Sequence, residues 1–143
     1  MKMVTWNEYT KMLEKLHQQV QLTSFDNIVG VGRGGSIIAA YLASKLGIPR
    51  FYSIFMRHVG RGTEMKIVVH DTSQVKNIKG KILVVDDWVC EGRAMKFVLD
   101  LLPKKSSIAT MAMFQRKGAE FKPDFVGAEV DAEERDIMFP YDL

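Results

Sequence analysis

The strongest constraint on the fold is the segment 81–95, KILVVDDWVCEGRAM. Its apolar run at 82–85 is typical of a strand buried on both faces of a sheet. Asp86 and Asp87 follow at once, and after a short turn the residues from 93 to 102 have a helical pattern. Carboxylates at the end of a buried strand are costly unless a cation or hydrogen-bond donors meet them. The segment therefore predicts a strand, an acidic pair, a turn and a helix, with the pair at the carboxyl end, where open α/β sheets bind ligands.

A second strand, turn and helix lie earlier in the chain. Residues 25–31 predict a strand, 32–35 a glycine-rich turn, and 36–46 a helix that ends at Gly47. Backbone N–H groups in such a turn can face an anion, and Arg33 adds a charge-assisted donor for a phosphate. The turn lacks the spacings of the dinucleotide and P-loop fingerprints, so from these residues alone a plain βα turn stays an alternative.

Short strands and helices alternate along the rest of the chain. Thr5 can cap a helix whose apolar residues, from Trp6 to Val20, recur at three- and four-residue steps. Further strands are predicted at 50–55, 66–70, 107–114 and within 121–130. This alternation predicts one α/β domain over residues 1–143, with a mostly parallel sheet flanked by helices.

Composition narrows the class of protein. A chain of 143 residues with 47% hydrophobic and 26% charged residues is ordinary for one soluble globular domain. Its single cysteine cannot form an intrachain disulfide, so we expect a reducing, cytoplasmic setting. No apolar run approaches the roughly 20 residues of a membrane span, so no membrane partner is expected. The net charge of +3 does not by itself favour nucleic acid.

Both motifs resemble those of the type I phosphoribosyltransferases. In that family an apolar strand, an acidic pair and a turn bind phosphoribosyl pyrophosphate (PRPP), and Asp86, Asp87 and Gly92 match this pattern here. The sequence Gly-Arg-Gly-Gly at 32–35 resembles the Ser-Arg-Gly-Gly loop of the bacterial xanthine-guanine enzymes. The resemblance implies the type I phosphoribosyltransferase fold, a central, mostly parallel sheet flanked by helices, with a small C-terminal hood at about 121–143 that the N-terminal segment joins.

The resemblance also implies an activity and its partners. Such an enzyme transfers the 5-phosphoribosyl group of PRPP to a nucleobase, here favouring a purine, and releases pyrophosphate in nucleotide salvage. Mg²⁺ is the implied cofactor and PRPP and a nucleobase are the implied partners. A homo-oligomer, either a dimer or a tetramer, is expected.

Each implied role falls on particular residues of this chain. Asp86, Asp87 and Cys90 are the implied catalytic residues, and Asp87 is the implied metal ligand. The implied binding residues are Arg33, Gly34 and Gly35 for the pyrophosphate of PRPP, Cys90, Glu91, Gly92, Arg93 and Ala94 for its 5-phosphate, and Arg116, Asp136 and Ile137 for the base.

Three residues of the turn depart from the family pattern and open an alternative. Cys90 stands where purine enzymes have an aspartate, while Glu91 and Ala94 replace groups that donate to the 5-phosphate. The alternative is therefore a catalytically impaired relative that binds PRPP or a nucleotide as a regulator. RNA binding is a weaker possibility, because no basic patch interleaved with aromatic residues is visible.

Several residues keep a structural interpretation beside the functional one. Arg116 could belong to a solvated basic loop, Arg93 could face solvent on its helix, and Cys90 could be a packed small side chain. Residues 56–65 predict either a basic hairpin or a lid over the site. His58 and His70 have no metal-binding spacing and are interpreted as surface or loop residues.

Overall fold

The structure is a computed structural model that describes residues 1–59, 66–69, 72 and 74–142. In chain order its strands are β1 (Lys2–Met3), β2 (Asn27–Val31), β3 (Phe51–Ile54), β4 (Met56–Val59), β5 (Lys66–Val69), β6 (Lys81–Val89), β7 (Ser107–Arg116), β8 (Phe125–Val130) and β9 (Ile137–Met138). The helices are α1 (Trp6–Val20), α2 (Gly32–Leu46) and α3 (Arg93–Leu101), and a 3₁₀ turn covers Pro140–Asp142. None of the helices in these ranges is long and apolar enough to span a membrane.

Five parallel strands form the main sheet, in the spatial order β3-β2-β6-β7-β8. Side chains of β6 alternate between its two faces. Leu83 and Val85 pack with α1 and α2, while Ile82 and Val84 pack with α3 on the other face. The predicted parallel α/β sheet with helices on both faces is confirmed.

The order of the strands creates a crevice between β2 and β6. The chain runs from β2 to its neighbour β3 on one side, and later returns to place β6 on the other side of β2. The pairing of β2 with β6 ends at Gly30 and Val85, whereas β6 continues beside β7 as far as Val89. Such a switch in strand order is where open α/β sheets bind ligands. Both sequence motifs meet at this point.

The C-terminal segment is divided between two sheets. Phe125–Val130 is an edge strand of the main sheet, while Ile137–Met138 pairs in parallel with Lys2–Met3 in a separate two-stranded sheet. The small layer is therefore built from the chain's first residues and those after 130, which is a shorter stretch than the predicted 121–143.

Two local boundaries differ from the sequence prediction. Helix α2 begins at Gly32 rather than 36, so the glycine-rich stretch is its first turn. Helix α3 ends at Leu101, one residue before the predicted end at 102. The connection before β6 contributes to the core, because Val75 and Ile78 are buried against the α3 side of the sheet.

The segment between β3 and β6 is described only in part. Strands β4 and β5 pair antiparallel, as a hairpin requires. Residues 60–65, which carry the choice between hairpin and lid, lie outside the described residues. The side chain of His58 and the whole of His70 also lie outside the described residues, so their interpretation as surface or loop residues stays a prediction.

Candidate active site

Asp86 and Asp87 lie side by side near the carboxyl end of β6, and their side chains interact with each other. Asp86 is only 7% exposed. Its Oδ1 accepts a hydrogen bond of 2.8 Å from the backbone N–H of Asp87. Burial, and then the neighbouring charge of Asp87, raise the pKa of Asp86 well above its usual range. A cation bound nearby would favour the ionised form of Asp86 and act against this rise in its pKa.

Asp87 is held by the C-terminal 3₁₀ turn. The hydroxyl of Tyr141 donates a short hydrogen bond to its Oδ2. Burial raises the pKa of Asp87, and the hydrogen bond from Tyr141 acts in the opposite direction. The same burial, together with the charge of Asp87, raises the pKa of Tyr141, so this phenol remains a donor.

The glycine-rich turn touches the acidic pair. A Cβ added to Gly34 would overlap the Asp87 carboxylate and would lie 2.8 Å from the Tyr141 hydroxyl. Only glycine allows this approach, so the start of α2 lies directly against the end of β6. Gly35 is buried and Arg33 is exposed. Gly34, which was predicted for the pyrophosphate, and Asp87, which was predicted for catalysis, are therefore in contact.

An aromatic cluster supports Asp87 from the α1 side. Tyr141 stacks on Phe139 with ring centroids 5.3 Å apart, and Tyr9 meets Tyr141 edge-on at 5.6 Å. Tyr9 is 2% exposed, and its hydroxyl has no hydrogen-bond partner among the described residues. Burial, and then the charge of Asp87, raise the pKa of Tyr9.

Sequence reasoning gave neither tyrosine a role in the site. Tyr141 had one available signal, because Pro140-Tyr141-Asp142 resembles a Pro-Trp-Asp segment near the C-terminus of the xanthine-guanine enzymes. Tyr9 had no signal in the sequence that pointed to the site, because its position on the apolar face of α1 is that of an ordinary core residue.

The turn after β6 closes tightly at Gly92. This residue has φ +87°, and an added Cβ would overlap the Cβ of Phe121, so a larger residue would be strained. Helix α3 begins at Arg93, and its first N–H groups therefore lie beside the turn. The free thiol of Cys90 is partly exposed.

The other two residues of this turn that depart from the family pattern, Glu91 and Ala94, have different surroundings. Glu91 is exposed, and its Oε1 lies 3.7 Å from Nη1 of Arg135. Ala94 is partly buried against the α3 core. The extra negative charge of Glu91 is thus paired with a cation from the segment before β9.

Arg116 is joined to two main-chain carbonyls. Its Nε donates to the Cys90 oxygen at 3.1 Å, and its Nη1 donates to the Ala132 oxygen at 3.3 Å. The guanidinium thus bridges the turn after β6 and the C-terminal segment. Arg116 is therefore not a solvated loop side chain, because it is partly buried and two of its nitrogens donate hydrogen bonds to the main chain.

The other two predicted base-binding residues lie on the small sheet. Asp136 is exposed, and its carbonyl accepts a 3.2 Å hydrogen bond from the N–H of Lys2. Ile137 is 5% exposed and packs in the core shared with α1 and α2. The Ile137 side chain therefore presents little surface to a ligand.

The described residues contain no cluster of three or more His, Cys, Asp or Glu side chains that could hold a metal ion alone. Mg²⁺ is usually bound through one or two carboxylates together with the phosphates of a substrate. The carboxyl groups of Asp86 and Asp87, beside the glycine-rich start of α2, are therefore suited to bind Mg²⁺ together with the phosphates of a substrate.

Comparison with known proteins agrees with this geometry. The phosphoribosyl transferase domain matches residues 5–142. The chain is 30% identical to the xanthine-guanine phosphoribosyltransferase of Idiomarina loihiensis, covering 98% of this chain and 86% of that one.

Two solved structures share the fold over 99% of the chain. The purine phosphoribosyltransferase of Pyrococcus horikoshii superposes with a TM-score of 0.78 at 22% identity over 93% of its length. A hypothetical protein of Neisseria gonorrhoeae, solved with bound ppGpp, gives 0.79 at 20% identity over 90% of its length. The domain match, the identity and the site at the β2–β6 switch agree, and the chain belongs to the phosphoribosyltransferase family.

Proposed function

We propose that this protein transfers the 5-phosphoribosyl group of PRPP to a nucleobase, with a purine favoured, and releases pyrophosphate in nucleotide salvage. One observation carries most of the support. The contact between Gly34 and Asp87 joins the glycine-rich turn to the acidic pair at the crevice between β2 and β6. One polyphosphorylated sugar can contact the glycine-rich turn and the acidic pair together only if the two lie this close to each other.

The acidic pair suits the charge changes of this reaction. The bond from ribose C1 to the pyrophosphate oxygen breaks, and a bond from C1 to a ring nitrogen of the base forms. Positive charge develops on the sugar as the leaving group departs, so fixed negative groups nearby stabilise the transition state. We assign this role to Asp86 and Asp87. Mg²⁺, held by Asp87, would neutralise charge on the departing pyrophosphate.

The two helix starts suit the phosphate groups. We assign Arg33, Gly34 and Gly35 at the start of α2 to the pyrophosphate, where N–H groups and one guanidinium supply donors. The turn at residues 90–94 is assigned to the 5-phosphate through its backbone N–H groups. The ion pair with Arg135 reduces the repulsion that Glu91 would exert on that phosphate.

The proton of the attacking nitrogen needs an acceptor or the solvent. Cys90 is partly exposed beside the turn and stands where purine enzymes have an aspartate. A thiol is a weaker proton acceptor than a carboxylate at neutral pH. We therefore expect catalysis that depends less on a protein base than in the family's purine enzymes.

The test is release of pyrophosphate from PRPP and Mg²⁺ with xanthine, guanine, hypoxanthine, adenine and orotate offered separately. The proposal expects turnover with at least one purine, and expects Asp87→Ala to abolish it. Orotate as the only productive base would correct the preference, and a failure of every base would refute the enzyme assignment.

A regulatory relative is the second candidate, and one comparison favours it. The Neisseria gonorrhoeae neighbour was solved with bound ppGpp, a nucleotide that carries two diphosphates. The altered residues Cys90, Glu91 and Ala94 are consistent with a site that binds without turnover. Calorimetric titration with PRPP and with ppGpp separates the two candidates, because the regulatory one binds a ligand yet shows no pyrophosphate release.

A further inference from the structure

Tyr141 sets the direction of one carboxylate of the acidic pair. Its hydroxyl donates to Oδ2 of Asp87 across 54 residues of sequence. The ring that carries this hydroxyl is nearly parallel to Phe139, with 3° between the planes, and Tyr9 packs against it edge-on. The donor is therefore fixed on both sides by packing.

The C-terminal turn itself is closed by a second hydrogen bond. The N–H of Phe139 donates to Oδ2 of Asp142 at 2.9 Å, so the residues on either side of Tyr141 are tied together. This closure limits the positions that the Tyr141 ring can take. Rotation of the Asp87 side chain away from Tyr141 would leave a partly buried phenol without its acceptor, which is costly.

The contact uses only part of the Asp87 carboxylate, which the Asp86 side chain and the Trp88 backbone also approach. An ionised carboxyl group can accept about four hydrogen bonds or ligand bonds through its two oxygens, and Tyr141 uses one of them on Oδ2. Gly34 lies against the same oxygen, so the glycine-rich turn limits the space on that side. The orientation of Asp87 is thus determined by the start of α2 and by the C-terminal turn together.

We propose that Tyr141 is a positioning residue, whose hydroxyl fixes the Asp87 carboxylate in the orientation that receives Mg²⁺ with PRPP. The inference rests on the proposed function and adds a residue that the sequence motif does not contain. Groups that hydrogen-bond to a metal-binding carboxylate orient it, and their loss usually lowers metal affinity about 10- to 100-fold.

The chain supplies a matched control in Tyr9. Both tyrosines belong to the same aromatic cluster, but the Tyr9 hydroxyl has no hydrogen-bond partner among the described residues, whereas the Tyr141 hydroxyl is bonded to Asp87. Tyr141→Phe and Tyr9→Phe each remove one hydroxyl and keep the ring. Only the first should affect the metal.

The experiment measures Mn²⁺ binding to each protein in the presence of PRPP, from the paramagnetic resonance signal of free Mn²⁺. Tyr141→Phe is expected to bind Mn²⁺ about 10-fold more weakly than the wild type. Tyr9→Phe is expected to stay within about two-fold of the wild type, since its hydroxyl orients no carboxylate. Circular dichroism confirms that each variant is folded.

A second readout uses the wild-type protein and does not depend on the stability of Tyr141→Phe. Binding of Mn²⁺ and PRPP should change the tyrosine absorption near the Asp87 contact, and this difference spectrum should persist in Tyr9→Phe. Equal Mn²⁺ affinity in wild type and Tyr141→Phe overturns the inference, as does an equal loss in both variants. Absence of PRPP-dependent Mn²⁺ binding in the wild type instead refutes the proposed function, and the positioning role with it.

Discussion

At the scale of single residues, the acidic pair combines two carboxyl groups with different surroundings. Asp86 is almost fully buried, while Asp87 lies against the glycine-rich turn and accepts from Tyr141. The sequence placed both residues at the end of a buried strand, because a short apolar run followed by two aspartates has few other interpretations. The partner of Asp87 could not be predicted, since it lies far along the chain and meets Asp87 only after the tail has packed.

The raised pKa of Asp86 predicts how stability depends on pH. A carboxyl group whose pKa is higher in the folded than in the unfolded state stabilises the fold fully at pH values below its unfolded-state pKa. This stabilisation is lost as the pH rises through its folded-state pKa. The unliganded protein should therefore lose stability as pH rises above about 4. Asp86→Asn removes this titration and keeps an oxygen that accepts from the Asp87 N–H.

Urea unfolding between pH 4 and pH 8 checks this expectation, with pH values taken in steps of about one unit. The free energy of unfolding of Asp86→Asn should fall less steeply with pH than that of the wild type, and should exceed it at pH 7. The exposed Asp100→Asn on α3 serves as the control and should follow the wild-type curve. A slope for Asp86→Asn equal to the wild-type slope would show that Asp86 does not titrate as described.

Cys90 predicts a gain of activity. Cys90→Asp restores the residue that purine enzymes carry, and a positioned proton acceptor contributes about 10²- to 10⁴-fold in favourable cases. We expect kcat with a purine to rise at least about 10-fold while PRPP affinity changes little. Cys90→Ser, which supplies no carboxylate, is the control, and an equal effect of both variants on kcat would argue against a proton-transfer role.

At the scale of elements, the turn after β6 is tied to the C-terminal segment by arginines. Arg116 bridges the Cys90 and Ala132 carbonyls, and Arg135 lies beside Glu91. The strand was predicted to end at residue 114, so Arg116 fell just beyond it, and its guanidinium was assigned to a base. A strand pattern predicts where a residue lies in the backbone. The contacts of a long side chain also depend on which loops the fold places next to it.

Arg116→Gln distinguishes these two roles. Loss of the bridge should lower the free energy of unfolding by about 1 kcal/mol, because two hydrogen bonds from a charged donor to partly buried carbonyls are removed. Lys117→Gln is the matched control, since it removes only an exposed ion pair 3.8 Å long with Asp131 and should cost little. Unchanged stability in Arg116→Gln, together with a higher KM for the base, would favour the predicted base contact instead.

At the scale of the whole molecule, the sequence predicted the fold class but not the strand order. Alternating strands and helices imply a parallel sheet, yet nothing in the pattern requires β6 to return beside β2. That return makes the crevice in which both motifs meet. The predicted homo-oligomer stays a prediction, although Ile37, Phe51 and Phe55 are exposed apolar side chains on or next to α2 and β3.

The central claim is that the crevice between β2 and β6 binds PRPP, and calorimetric titration with PRPP and Mg²⁺ tests it most directly. Arg33→Ala removes an exposed charge at the start of α2 and should weaken binding about 10- to 100-fold, since a charge-assisted hydrogen bond contributes about 1.5–3 kcal/mol. Arg50→Ala removes an exposed charge just before β3, at the amino ends of the parallel strands and thus at the other end of the sheet from the crevice, and should bind as the wild type does. No PRPP binding by the wild type, or equal weakening in both variants, would contradict the account.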